Sequence, residues 1–259
     1  MNQAERRLYL IHTLLSERPS CRRQEIPKDA ARQRVLLRGL MNVRPAKQIS
    51  PEFLSVQDEY LRQELSEAGV THVEDLQPVS GELYLWQGDI TKLSCGAIVN
   101  AANSGLTGCY VPNHACIDNC IHTYAGVQLR LDCAEIMEKQ GHEEPTGQAK
   151  LTRAYNLPCS FVLHTVGPIV TGEPTKEDEQ LLASCYRSCL SLAEENGVKS
   201  IAFCCISTGV FGFPQAEASS IAVATVRRWL DEHPDASMTV VFNVFSETDE
   251  HLYRPLLGL

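Results

Sequence analysis

The sequence predicts an α/β protein, a sheet covered by helices on both faces, preceded by a helical leader. Three observations carry this. From Gly81 onward short apolar runs alternate with longer amphipathic stretches, the texture of strands clothed by helices. Residues 1–80 instead show helical periodicity without strand alternation. A glycine-rich turn, Ser207 to Gly212, follows an apolar run and opens a helix, the place where α/β proteins bind ligands beyond strand ends.

In the leader, Glu5 to Ser16 is periodic through Leu8, Ile11, Leu14 and Leu15. Pro19 and Pro27 punctuate, and Asp29 to Asn42 repeats the pattern through Val35, Leu36, Leu37 and Leu40 before Pro45. A third helix is expected to be capped by Ser55, with Asp58 completing a capping box and Gly69 as its stop. Such stripes are buried only against another body, so residues 1–80 are expected to dock on a main domain of residues 81–259. In that domain Leu83–Gln87 and Ala97–Asn100 read as strands, and one helix runs from Ile117 to about Gln140. Phe161–Thr165 is a strand, Asp178 to Asn196 a helix stopped by Gly197, Ser200–Ile206 a strand and Gln215 to Asp231 a helix. Thr239–Phe245 is the last strand, and Ser246 with Asp249 caps a short final helix.

The chain has 259 residues, 44% hydrophobic and 21% charged, which excludes wholesale disorder. No apolar run reaches the length of about 18–20 residues that a membrane span needs. The N-terminus has too short an apolar core for a signal peptide. With that, the 11 cysteines read as reduced thiols of a cytoplasmic protein and not as a disulfide framework. The net charge of −9 is unevenly placed: residues 1–47 hold 11 Lys/Arg against 4 Asp/Glu, so the remainder is strongly acidic. An acidic body is a poor nonspecific binder of nucleic acid. The basic head has Tyr9 as its sole aromatic before Phe53, too few for a stacking platform. Neither a membrane nor a nucleic-acid partner is expected.

Two loops carry chemistry. The glycines of Ser207-Thr208-Gly209-Val210-Phe211-Gly212 let amides face outward, and the following helix start adds partial positive charge. There is no Lys or Arg from Ile201 through Val226, so a phosphate here must be held by main-chain donors. The other loop, Asn103 to Cys116, ends in Cys109, His114 and Cys116 within eight residues. Two thiolates and an imidazole suit Zn²⁺, and three protein ligands with an open position are the arrangement of a catalytic zinc. In a chain with 11 cysteines a chance cluster is the competing explanation. His122 and Cys120 are rival ligands whose helical spacing also fits packing, and His164 fits a satisfied core histidine.

In order along the chain, GDIT (Gly88–Thr91), IVNAANSGL (Ile98–Leu106), GQAKLTRAYNL (Gly147–Leu157), VLHTVGP (Val162–Pro168) and ISTGVFGFP (Ile206–Pro214) resemble the macrodomain signature set. VVFNVFS (Val240–Ser246) resembles its final strand, and the resemblance spans Gly81 to Leu259. Most catalytic macrodomains have a glycine-only run before a Val-Asp pair, whereas this chain has Cys109 to Cys116 and then Ile117-Asp118. That departure resembles the zinc-dependent branch of protein-ADP-ribose hydrolases, which also carries a helical N-terminal extension. The resemblance implies a three-layer α/β/α sandwich with a mixed central sheet, ADP-ribose in a surface cleft and one Zn²⁺ per chain. The implied reaction removes mono-ADP-ribose from a protein carboxylate, aspartate before glutamate. The alternatives are a reader that binds ADP-ribose without cleaving it and an O-acyl-ADP-ribose deacylase. The implied partners are a mono-ADP-ribosylated protein, with a lipoyl-carrier protein and a sirtuin-type ADP-ribosyltransferase suggested.

By the same resemblance, Asp89 and the Ile90 amide meet the adenine, and Asn103 holds the distal ribose. Cys109, His114 and Cys116 match the zinc ligands, and Asp118 the aspartate of the catalytic loop, with Cys116 and Ile117 beside it on ADP-ribose. Ser207, Thr208, Gly209, Val210 and Phe211 match the diphosphate loop, whose aromatic also flanks the distal ribose. Asp118 and Asn103 are the expected catalytic pair. Each has a plainer explanation: Asp89 as a turn former, Asn103 as a loop-satisfying residue, Asp118 as a charge favoured at a helix start. Phe245 either borders the adenine or belongs to the core.

Overall fold

In the computed structural model residues 1–18 and 25–259 are described; Pro19, the first expected break, lies outside the described residues. Asn2 and Glu5 form a reciprocal capping box, so α1 (Gln3–Ser16) starts ahead of its periodic stretch. Asp29 caps α2 (Ala30–Asn42) by accepting from the Arg32 amide. The start of α3 (Pro51–Ala68) differs from the expectation: Ser50, not Ser55, is the cap, accepting from the Phe53 amide at 3.2 Å. Pro51 at the first helical position explains the earlier start, because its fixed φ suits a helix and it has no amide to leave orphaned. Leu10, Leu14, Leu37, Leu40 and Phe53 form a small core of the leader's own, and Val127 of the body packs against it.

Residues before 81 also contribute strands, contrary to the reading of a strand-free leader. β1 (Thr71–His72) pairs in parallel with β4 (Leu93–Ser94), and β2 (Pro78–Ser80) pairs antiparallel with β3 (Leu83–Gln87). Both early strands are too short to show alternation. The main sheet is completed by β5 (Ala97–Ala101), β6 (Ala149–Arg153), β7 (Phe161–Thr165), β8 (Ser200–Phe203) and β9 (Thr239–Val244). Its order is β2-β3-β9-β8-β5-β7-β6, with antiparallel pairs only at the two edges. The sequence reading has no strand at β6, whose AKLTR run is largely polar because it is an edge. The inner strands are apolar on both faces: Ile98, Val99, Val162, Leu163, Ile201 and Val241 are fully buried, as a sheet covered by helices requires.

The flanking helices are α4 (Ile117–Ala125), α5 (Val127–Gln140), α6 (Lys176–Glu195), α7 (Gln215–Glu232) and α8 (Glu247–Leu257). The single helix expected over Ile117–Gln140 is two, broken at Gly126 with φ 103°. A Cβ there would lie 2.6 Å from the amide nitrogen of Gln57 on α3. Gln57, fully buried, accepts from the Val127 amide at 3.0 Å, so the leader caps α5. β8 ends three residues earlier than expected because Ser207 has φ 65° and Thr208 turns back to the Cys205 carbonyl through amide and hydroxyl. β5 and β8 are neighbours, and the chain leaves β5 toward the β6 edge but leaves β8 toward β9 on the other side, which makes the β5/β8 boundary a topological switch point.

Candidate active site

The candidate residues gather at the C-terminal ends of the parallel strands. Asp89 follows β3, Asn103 follows β5 and Ser207–Phe211 follow β8, so the last two flank the switch point. The Cys109–Cys116 loop crosses from β5 to α4, whose first turn carries Asp118.

Asp118 is 5% exposed. One carboxylate oxygen accepts from Asn100 Nδ2 at 2.8 Å and the other from Asn103 Nδ2 at 3.1 Å. Burial raises its pKa to about 6, against the opposing pull of the Asn100 hydrogen bond, the Arg130 charge and the Asn103 hydrogen bond. Asn103 is itself well tied: Nδ2 also donates to the Gly108 carbonyl at 3.2 Å, and Oδ1 accepts from the Gly105 amide at 3.0 Å. Its amide therefore braces Asp118, a contact the sequence reading did not include. Asn100 was missed altogether, although a lone polar residue inside the apolar run of β5 is a visible signal. Its Nδ2 also donates to His164 Nδ1 at 3.1 Å.

Cys109 Sγ and His114 Nδ1 stand 3.7 Å apart, and with Cys116 Sγ all three ligand atoms lie within 4.8 Å of one another. Two ligands at about 2.3 and 2.0 Å on a tetrahedral zinc are separated by roughly 3.6 Å, so the trio fits this ion. All three residues are half-buried, which leaves an approach for a further ligand. Burial pushes the Cys116 thiol up to about 12, so a cation is needed to hold it as the thiolate that binds metal. Asn119 steadies the loop by donating to the Cys109 carbonyl at 3.3 Å and the Val111 carbonyl at 3.0 Å.

A second group, His122, Cys133 and His164, also brings its atoms within 4.8 Å, fully buried. It is a poor metal site. His164 Nδ1 faces the Asn100 amide donor and its Nε2 faces the Thr152 hydroxyl at 2.9 Å, so both ring nitrogens are engaged, as expected of a core histidine. Burial lowers the His164 pKa to about 3 and holds His122 well below its usual value, so both rings are neutral. The 3.6 Å approach of His122 Nε2 to Asp118 is therefore not an ion pair. Cys120 lies 3.4 Å from the Arg38 guanidinium, outside the metal trio.

On the other side of the switch point, the Ser207 hydroxyl is buried beneath Gly167 of the VLHTVGP run, where a Cβ would come within 2.0 Å of it. The loop is closed by Gly212 N to Gly209 O at 3.1 Å, Phe213 N to Ser207 O at 3.0 Å and Val170 N to Phe211 O at 2.8 Å. Among the described residues the amides of Gly209, Val210 and Phe211 donate to no backbone carbonyl or side chain, which leaves three consecutive donors for an anion. Val210 is 81% exposed, and a Cβ on Gly209 would meet nothing within 4 Å. Asp89 Oδ1 accepts from the amide and hydroxyl of Thr91, so it does form a turn. Its half-exposed Oδ2 lies 3.7 Å from Lys92 Nζ. Ile90 is buried, and Phe245, 80% exposed, is not part of the core.

An amide-lined loop at a switch point of a mixed sheet marks a ligand-binding α/β domain, and comparison with known proteins gives the class. Residues 99–222 match the model of the Macro domain. The Trypanosoma brucei macrodomain in complex with ADP-ribose superposes with a TM-score of 0.67 at 32% identity, covering 90% of this chain and 97% of that one. The chain belongs to the macrodomain family. Within it the full-length relatives are enzymes. A protein of Treponema medium named protein-ADP-ribose hydrolase is 59% identical over 262 residues, covering both chains completely. One of Staphylococcus aureus with the same name is 51% identical, covering 96% of this chain and 94% of that one.

Proposed function

We propose that this chain is a zinc-dependent hydrolase that releases mono-ADP-ribose from a modified protein carboxylate. One observation carries the reading. The Asp118 carboxylate, fixed from both sides by Asn100 and Asn103, begins α4 directly after Cys109, His114 and Cys116. A module that only binds ADP-ribose needs no such combination. Bound through those three residues, a zinc ion would supply Lewis-acid polarisation of a ribose hydroxyl or a water.

The chain's own residues do the rest. The amides of Gly209 to Phe211 and the start of α7 hold the diphosphate without a cationic side chain. Asp89 receives the adenine amino group on Oδ2, the oxygen not used by Thr91, beside the Ile90 amide. Asn103 meets the distal ribose and keeps Asp118 aimed. Asp118, with a pKa brought near the working pH by burial, accepts a proton from the attacking water and is held by a rigid helix start. Aspartate-linked substrate is expected to turn over faster than glutamate-linked, and a modified lipoyl-carrier protein is the protein substrate to try first. Incubation of the purified chain with an aspartate-ADP-ribosylated carrier protein tests the reading. Release of free ADP-ribose supports it. Tight binding of ADP-ribose with no release from any carboxylate-linked substrate would make the chain a reader instead.

A further inference from the structure

The Cys109–Cys116 loop has little regular structure of its own; its local backbone bond is His114 N to Val111 O at 3.2 Å. Its shape is imposed from outside, and much of what imposes it is the last turn of α2 in the leader. Arg38 and Asn42, four residues apart, share one helix face. Arg38 Nη2 donates to the His114 carbonyl at 2.8 Å, to Asn119 Oδ1 at 3.1 Å and toward Cys120 Sγ at 3.4 Å. Asn42 Oδ1 accepts from the Asn113 amide at 2.8 Å, and its Nδ2 donates to the Thr123 hydroxyl at 2.7 Å. Asn113 has φ 56°, in the left-handed region that asparagine tolerates better than most side chains, and the Asn42 contact holds it there. Arg130 of α5 closes the frame by donating to the carbonyls of Asn42 at 2.7 Å and Arg44 at 2.6 Å. Its guanidinium lies 4.2 Å from the centroid of the Tyr110 ring, so it ties the near end of the loop to the same leader turn.

We propose that Arg38 and Asn42 are positioning residues of the active site. Acting through the backbone at Asn113 and His114 and through Asn119, they hold Cys109, His114 and Cys116 in ligand geometry, and the leader is thereby part of the metal centre. This rests on the reading of those three residues as zinc ligands. The contacts fall on the ligand loop at Asn113 and His114 and on α4 at Asn119, Cys120 and Thr123, and on none of Asp89 or Ser207–Phe211, so the expected effect is on metal retention and turnover, not on nucleotide affinity.

The test uses the full chain as wild type, Arg38→Ala, Arg38→Lys and Asn42→Ser, with Leu14→Ala as a variant that weakens the leader's own core without touching the loop. Zinc loss to a chromogenic chelator, kcat, KM and calorimetric ADP-ribose affinity are measured on each. Arg38→Ala and Asn42→Ser are expected to release zinc about 10–100-fold faster, the range for removing an outer partner of a metal ligand, with kcat falling alongside. ADP-ribose affinity is expected to stay at the wild-type value, and Arg38→Lys to recover part of the retention. Unchanged zinc release in Arg38→Ala and Asn42→Ser, or equal acceleration in Leu14→Ala, would overturn the proposal. A wild type that holds no zinc would remove the metal reading itself. Amide hydrogen exchange over residues 109–116 then decides, with faster exchange in Arg38→Ala supporting a positioning role and unchanged exchange refuting it.

Discussion

Replacing Asp118 separates chemistry from binding and from folding, because the terms at this residue oppose each other. Asp118→Ala withdraws the acceptor from Asn100 Nδ2 and Asn103 Nδ2, each of which keeps one other partner, His164 Nδ1 and the Gly108 carbonyl respectively. Leaving the buried Asn100 donor short of an acceptor costs about 1–3 kcal/mol, and the half-buried Asn103 donor adds less. Against this, the wild-type carboxylate is raised to about 6 from 3.8, so the fold disfavours its charge. At pH 7 that strain is worth about 3 kcal/mol, which the alanine variant regains. The two effects nearly offset, and the melting temperature is expected to move little. The sign has a pH signature: a raised carboxylate weakens the fold above its folded pKa and stops doing so as pH falls from about 6 toward 4. Wild type should therefore gain stability relative to the variant over that window. Hydrolysis has no such compensation. Losing a positioned acid–base group slows it by about 10²–10⁴-fold, equivalent to roughly 3–5 kcal/mol of transition-state stabilisation. Single-turnover release of ADP-ribose measures the first effect and calorimetry with free ADP-ribose the second, where affinity should fall far less. A fully active Asp118→Ala would refute the role argued for this residue, and loss of ADP-ribose binding would reduce Asp118 to a loop-shaping part.

Three further outcomes are expected. Gly209→Glu places a side chain and a negative charge in the open space outside the loop amides, so ADP-ribose binding should be abolished while zinc content stays; unchanged affinity by calorimetry would move the diphosphate elsewhere. Lys92→Ala, which removes only the exposed partner of Asp89, should have a much smaller effect in the same assay. His164, lowered to about 3 against 6.5 unfolded, contributes stability that is present above about 6.5 and is lost as pH falls, about 3 kcal/mol by pH 4.5. Urea denaturation of His164→Gln beside wild type should show the difference shrinking in that range, and parallel pH profiles would count against a neutral buried ring.

Much of the fold was legible because the inner strands are apolar on both faces and the helices between them carry caps and glycine stops. Phe161–Thr165 and the Ser246 cap stand where patterning puts them, and the last strand, expected over Thr239–Phe245, ends one residue earlier at Val244. What escaped had a physical cause. β1, β2 and β6 are short or at an edge, where exposure removes the apolar signal. The break at Gly126 depends on Gln57, a residue 69 positions earlier, and no local pattern can show that. The Cys109–His114–Cys116 grouping was readable from spacing, and the structure brings the three together. Its supports were not: Arg38 and Asn42 reach the loop from α2, Asn119 from α4 and Arg130 from α5, and each looks like an ordinary polar helix residue in the sequence. Asn103 was legible as a candidate site residue, but its contact with Asp118 appears only in three dimensions.

The proposed hydrolase depends on a metal held by Cys109, His114 and Cys116 together with the carboxylate of Asp118. Zinc content and ADP-ribose release, measured on one preparation before chelation, after it and after zinc is restored, test this dependence. The expected result is one zinc per chain, loss of release with loss of metal, recovery on restoration, and in Cys116→Ala a joint loss of both. Freshly purified protein that contains no zinc yet releases ADP-ribose at full rate, or a chelated protein that keeps its activity, would contradict it.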